Sequence, residues 1–155
     1  MRRAAGSVAV AGLLLVTGGC GARVEVLGVR FGDECPVVAR TVSPLVVPEE
    51  EGSLVVIVSN QSFEDPVVRL TVSVDGEVVV DQELDVCGQH AWASFPLRVQ
   101  PGWHDVEART DGDVSTTGRI ELPAAPARRW VVLSHWTDPD PRVDLEQFSE
   151  PPGFG

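Results

Sequence analysis

The sequence contains no lysine, so its positive side chains are all arginines. Twelve basic residues stand against 23 aspartates and glutamates, which gives a formal net charge of −11 over 155 residues. Proteins that grip nucleic acid need clustered basic side chains to neutralise phosphates, and this composition therefore argues against nucleic acid as a partner. A hydrophobic fraction of 43% is nevertheless enough for a folded domain with a core.

The chain also lacks the apolar spacing of amphipathic helices. From residue 52 onward, aliphatic and polar side chains alternate and turn signals follow at short intervals. The aliphatic residues at positions 68, 70, 72 and 74 form one such alternating strand, and the Asp75-Gly76 pair after it predicts a two-residue type I′ hairpin. We therefore expect an all-β protein, an antiparallel two-sheet β-sandwich of about seven to eight strands.

Short motifs between residues 54 and 110 resemble the immunoglobulin or fibronectin-III-like modules of bacterial surface proteins. The pattern is N-x-S, an alternating strand, V-D-G and P-G-x-H-x-V, formed here by Asn60, Ser62, Val74, Asp75, Gly76, Pro101, Gly102, His104 and Val106. Tyrosine is absent from the chain, as is the Cys-Trp-Cys spacing of antibody domains, so a tyrosine corner is excluded. The resemblance implies a sandwich architecture and no catalytic site.

The N-terminus has the composition of an export signal. Arg2 and Arg3 precede an apolar run over residues 8–16, which is too short to span a bilayer. A positive start followed by a short apolar run predicts a secretory leader.

The residues after this run decide how the exported chain is held. Val16-Thr17-Gly18-Gly19-Cys20 resembles the lipobox of bacterial lipoproteins, with Thr17 where an aliphatic residue is usual. The resemblance implies cleavage before Cys20 and acylation of its thiol, so that an N-terminal lipid holds the protein on the extracytoplasmic face of the cell membrane. The alternative is an ordinary signal peptide cleaved near Ala22.

Two further cysteines, Cys35 and Cys87, follow the leader. Export would place them in an oxidising compartment, where an even number of cysteines is usually paired. We therefore expect a disulfide between them. The alternative is that their α-carbons lie too far apart for a bridge.

The chain divides into four parts on composition. We expect a leader over residues 1–19, an anchor and N-terminal segment with a possible first strand over 20–51, the sandwich over 52–136, and a proline-rich tail over 137–155. In the tail, Phe148 and Phe154 favour docking onto the domain, whereas prolines 151 and 152 favour mobility, and the sequence leaves both possibilities open.

No pattern of catalytic residues is present. The chain has neither a G-x-S-x-G nucleophile elbow nor a glycine-rich loop, and Ser134 and His135 are neighbours that must face opposite sides of a strand. No cofactor is expected. The sequence predicts a non-catalytic binding or accessory module of the cell envelope, whose envelope protein partner or ligand is unknown.

Tryptophans and histidines are the remaining candidates for a site. Trp92 and Trp136 are candidate interface residues because indoles often anchor interfaces, whereas Trp103 and Trp130 are expected to pack between the two sheets.

The alternative function is an exported metal-binding module that holds copper or zinc. Its candidate ligands are His90, His104 and His135, the only imidazoles of the chain. Their spacing is much longer than the H-x-H or H-x₃-H of common metal sites, which favours strand-end or surface histidines instead.

Overall fold

The structure, a computed structural model, describes residues 24–27, 38–41, 43–86 and 92–153. Within them lie ten strands and one 3₁₀ helix, Glu49–Glu51. The strands are β1 (Val24–Leu27), β2 (Val38–Thr41), β3 (Leu54–Asn60), β4 (Val67–Val74), β5 (Glu77–Asp85), β6 (Trp92–Leu97), β7 (Gly102–Thr110), β8 (Ser115–Leu122), β9 (Arg129–Trp136) and β10 (Arg142–Phe148). β1 pairs with β2, and the other eight strands form two four-stranded sheets. The prediction of an all-β, two-sheet sandwich of seven to eight strands is confirmed.

The two sheets have different strand orders. Sheet I has the order β10-β9-β3-β6, and sheet II has the order β5-β4-β7-β8. All neighbours are antiparallel except β3 and β9, which run parallel from Leu54 opposite Arg129 to Asn60 opposite His135. Strand β9, which comes late in the described chain, therefore lies inside sheet I between β10 and β3.

The hydrophobic core lies between the inner faces of the two sheets. Its largest fully buried side chains include Phe95, Leu54, Leu70, Ile120 and Leu133. The alternation predicted for β4 is observed, because the aliphatic residues at 68, 70, 72 and 74 are all buried.

The edge strands β8 and β10 close one side of the sandwich. A Cβ atom at Gly118 would lie 2.9 Å from Cδ1 of Leu145, so the missing side chain lets the two sheets approach. Side chains of sheet I also reach the backbone of β8. Gln147 donates to the carbonyl of Arg119 at 3.2 Å, and Arg129 donates to that of Glu121 at 3.3 Å.

The predicted hairpin connects β4 and β5. Asp75 and Gly76 have φ angles of 51° and 81°, and a type I′ turn requires a positive φ at both central positions. Glycine adopts this backbone without strain, and aspartate is one of the few other residues that tolerate it.

Asn60 of the N-x-S motif has a structural role in the loop between β3 and β4. Its Nδ2 donates to the carbonyls of Asp65, at 2.9 Å, and Leu84, at 3.2 Å, and its Oδ1 accepts from the amide of Ser62. The residue is only 1% exposed. All three contacts fix the loop to the end of the sandwich, so the motif is explained by folding.

Strand β10 decides between the two possibilities that the sequence leaves for residues 142–148. These residues pair with β9 along their whole length, from Arg142 opposite Trp136 to Phe148 opposite Trp130. The sandwich therefore extends beyond residue 136, and Phe148 is docked. Phe154 lies outside the described residues, as do Cys20, Cys35, Cys87 and His90.

Candidate functional site

The outer face of sheet I is apolar. Val55 and Ile57 of β3 and Val132 of β9 are buried there, on the side that faces away from the core. Three half-buried aromatic residues pack against them: Trp92, Trp130 and Phe148. We call these six residues the outer apolar cluster. Because the cluster lies on one side of β3 and the core on the other, β3 is buried on both faces.

The structure places both interface candidates on sheet I. Trp92 belongs to the outer apolar cluster. Trp136 is half-buried further along β9, and the guanidinium of Arg142 stands over its ring at 5.7 Å from the centroid. Trp130 does not pack between the sheets as expected from the sequence. It lies on the outer face because its neighbour Val131 points into the core.

Trp103 is also not a core residue, and the expectation from the sequence is wrong. Its side chain is 57% exposed on the outer face of sheet II. On β7 it shares the outward face with Asp105 and Glu107, whereas Val106 and Ala108 point into the core. This alternation is visible in the sequence, so the signal that places Trp103 outside was available.

An open groove of about 490 Å³ lies on the outer face of sheet II, lined by residues of β4, the β4–β5 turn, β7 and β8. One register row crosses it, from Ser73 of β4 through Glu107 of β7 to Thr117 of β8. The next row pairs Asp105 with Arg119.

Arg119 connects the groove to Trp103. Its guanidinium carbon lies 5.3 Å from the centroid of the indole, a cation–π distance, and its Nε lies 3.9 Å from Oδ1 of Asp105. Arg109 donates to Glu107 at 2.6 Å. Each carboxylate of the groove therefore has an arginine partner.

The β4–β5 turn forms one wall of the groove through Gly76 and is held by Asp75. The carboxylate of Asp75 lies 2.6 Å from Nδ1 of His104 and accepts from the amide of Asp105 at 3.0 Å. The hydrogen bond with His104, followed by that from the amide, holds the pKa of Asp75 below its ordinary value. The carboxylate form thus fixes the turn to β7.

His135 lies at the other end of the sandwich, beside the β7–β8 turn. It is 2% exposed, its Nε2 is 3.4 Å from Asp65, and its Nδ1 has no hydrogen-bond partner in the part of the chain that the structure describes. His104 and His135 are thus not brought together. Among residues 24–27, 38–41, 43–86 and 92–153, no three potential ligands converge on a metal position.

Ser134 and His135 face opposite sides of β9, as expected. The hydroxyl of Ser134 lies 3.1 Å from that of Ser59 on the outer face, whereas the imidazole points inward. The histidine is therefore not placed to take a proton from this serine.

A scan against protein-family models, a search of curated proteins and a search of solved structures each gave no match. Within the described ranges, the structure contains no helix with the length and apolar character to cross a membrane.

Proposed function

We propose that this protein is a lipid-anchored, extracytoplasmic binding or accessory module of the bacterial cell envelope, without catalysis of its own. The leader and the lipobox-like residues that end at Cys20 support the anchor. The sandwich supports the binding role, since it presents two broad sheet faces with different chemistry.

The observation that carries the binding role is the outer apolar cluster. In a two-layer sandwich the outer face of each sheet normally meets water and is polar, as it is in sheet II. Sheet I instead carries valine, isoleucine and three aromatic rings outside the core. The aliphatic side chains are buried beneath the rings, and the half-buried rings themselves are what remains accessible. Tryptophan surfaces of this kind are typical of interfaces, and we propose that an envelope protein contacts this face through Trp92 and Trp136.

The strand order is consistent with an immunoglobulin-like module. That fold names its strands A to G. Strand B lies beside strand E in one sheet, and strands C, F and G form the other sheet, with an added strand C′ next to C in some members. The corresponding neighbours here are β3 with β6, and β5, β4, β7 and β8 in that order. Sheet I departs from that pattern. β6 is an edge strand, with no fourth strand beside it, and β9 lies next to β3 where the first strand of such a module would lie, followed by β10.

A disulfide between Cys35 and Cys87 is part of the proposal. Cys35 precedes β2 and Cys87 follows β5, and these two strands contact each other. Labelling of free thiols in the unreduced exported protein tests the bridge, because two reactive thiols would contradict it.

Metabolic labelling with a palmitate analogue tests the anchor. The wild type should be labelled and recovered with membranes, and Cys20→Ala should lose both properties. Cys35→Ala is the matched control and should keep the label. Equal labelling of wild type and Cys20→Ala would overturn the anchor.

Replacement of both interface tryptophans by alanine tests the binding face. Trp92→Ala/Trp136→Ala should lose capture of envelope proteins after cross-linking in cells while it still unfolds cooperatively. Phe63→Ala removes an exposed aromatic residue that is not in the outer apolar cluster and should retain capture. Unchanged capture by the double variant would contradict this role.

A further inference from the structure

We propose that the groove on the outer face of sheet II, together with Trp103, binds a neutral carbohydrate. This site is on the sheet opposite the outer apolar cluster. It goes beyond the function proposed above, and it depends on neither the lipid anchor nor the partner of sheet I.

The first argument is shape. Trp103, Asp105 and Glu107 follow one another on the outward face of β7, and the indole stacks with Arg119, which lines the groove. Alternate residues of a strand are about 7 Å apart. Trp103, Asp105 and Glu107 therefore follow one another at a spacing comparable to the length of one sugar ring. The arrangement therefore offers an extended, shallow track that suits a glycan chain.

The second argument is the chemistry of the lining. An exposed indole presents a flat apolar surface, which matches the C–H face of a pyranose. The hydroxyls of a sugar both donate and accept hydrogen bonds, and the groove offers both partners. Arg119 donates, Asp105 and Glu107 accept, and the hydroxyls of Ser73 and Thr117 can do either.

The third argument is charge. The chain as a whole carries a net charge of −11, which attracts cations to most of its surface. In the groove, however, Glu107 is paired with Arg109, and Asp105 faces Arg119. Two carboxylates are thus faced by two guanidinium groups, while Glu121 of β8, opposite Trp103 in the register, adds a negative charge beside the indole. This distribution disfavours an anionic ligand and accommodates a neutral one.

The groove is also rigid on its turn side. Asp75 holds the β4–β5 turn to β7 through His104 and the amide of Asp105. Gly76 at the same turn leaves open space, because no atom lies within 4 Å of the position that its Cβ would occupy. Because the turn is held in place before a ligand arrives, less conformational entropy is lost on binding.

Addition of an extended peptide to the edge strand β8 is disfavoured. A peptide that adds to an edge strand needs free backbone groups on that strand. On β8, the carbonyls of Arg119 and Glu121 already accept hydrogen bonds from Gln147 and Arg129 of sheet I. Strand addition would have to break both contacts.

Native affinity electrophoresis tests the proposal. The full chain is run in a polyoxyethylene detergent, which carries no sugar, through gels that contain mannan, dextran, β-glucan or arabinogalactan, with anionic alginate as the charged comparison. At least one neutral polysaccharide should retard the wild type, and Trp103→Ala should weaken the apparent affinity by about tenfold or more. Trp103→Phe should retain part of the affinity because it keeps a flat ring.

Two further variants separate binding from folding. Thr117→Met narrows the groove from an exposed position without adding a flat ring, and should weaken retardation while Trp103 is still present. Phe63→Ala removes an aromatic residue that is 72% exposed outside the groove, and it should migrate like the wild type. The proposal is overturned if no neutral polysaccharide retards the wild type, if alginate alone does, or if Trp103→Ala and Thr117→Met are retarded as strongly as the wild type. These results would leave the lipid anchor and the sheet I interface unaffected.

Discussion

The imidazole of His104 lies between two oxygen acceptors, Asp75 and the carbonyl of Gln100, at 2.6 and 2.8 Å. Nδ1 faces the carboxylate and Nε2 faces the carbonyl, so the ring bridges the two oxygens. The His104 side chain thereby joins the β4–β5 turn to the beginning of β7. Two regions that are distant in sequence thus depend on one side chain.

The first prediction concerns the pH dependence of this contact. Asp75 has a lowered pKa in the folded protein, so its contribution to stability is complete above the unfolded-state pKa of about 3.9 and is lost as the pH falls through the folded-state value. Because the carboxylate is half exposed and screened by water, Asp75→Asn should be less stable than the wild type by at most about 1 kcal/mol near neutral pH, with a gap that closes below about pH 4. Urea unfolding at a series of pH values measures the gap. Asparagine tolerates the positive φ of this position, and a gap independent of pH would contradict the prediction.

The second prediction concerns Asn60. Asn60→Ala removes the partners of two carbonyls and one amide at a buried site, and should lower the free energy of unfolding by about 2–3 kcal/mol. Denaturant unfolding checks this value, with Gln61→Ala as the neighbouring control. A loss in Asn60→Ala no larger than the loss in Gln61→Ala would contradict this role.

The third prediction compares two aromatic residues. Phe95 is 1% exposed in the core between the sheets, whereas Trp103 lies on the surface of sheet II. Phe95→Ala should cost about 3–5 kcal/mol because it leaves a cavity. Trp103→Ala should change the stability by no more than about 0.5 kcal/mol. Thermal unfolding followed by circular dichroism measures both, and similar losses in the two variants would contradict the placement of Trp103.

The fourth prediction compares two glycines. A Cβ at Gly52 would lie 2.9 Å from Cβ of Pro96 and 3.3 Å from its Cα, so the backbone of an edge strand would have to move. A Cβ at Gly118 would meet only the end of the Leu145 side chain, which can rotate. Gly52→Ala should therefore cost about 1–3 kcal/mol and Gly118→Ala less. Denaturant midpoints of the two variants check this ranking of stability losses. Adding Leu145→Ala to Gly118→Ala should remove the clash at position 118.

Local features of the fold were predictable from the sequence because they depend on neighbouring residues. The hairpin follows from Asp75-Gly76, and the face of β4 follows from simple alternation. The same alternation contains the outward position of Trp103. The prediction failed there because it gave more weight to the size of the indole than to the polar residues at 105 and 107.

Other features could not be predicted because they depend on distant parts of the chain. Trp130 lies in an aliphatic stretch that is apolar on both faces, so the pattern does not tell the inside from the outside. Only the pairing of β9 with β3 settles which face is outside. These two strands are separated in sequence by more than half of the domain. The groove has the same origin, since Ser73, Glu107 and Thr117 meet only through the order of the strands in sheet II.

The central place of β9 in sheet I also bears on how the protein is made. While residues 129–136 are still inside the ribosome or a translocation channel, β3 lacks one of its two neighbours and one end of the domain stays open. Such contacts between early and late residues form slowly and only when both ends are free. Sheet I therefore cannot be completed before β9 has emerged, and until then the chain keeps an open state in which a polypeptide can be threaded through a narrow pore.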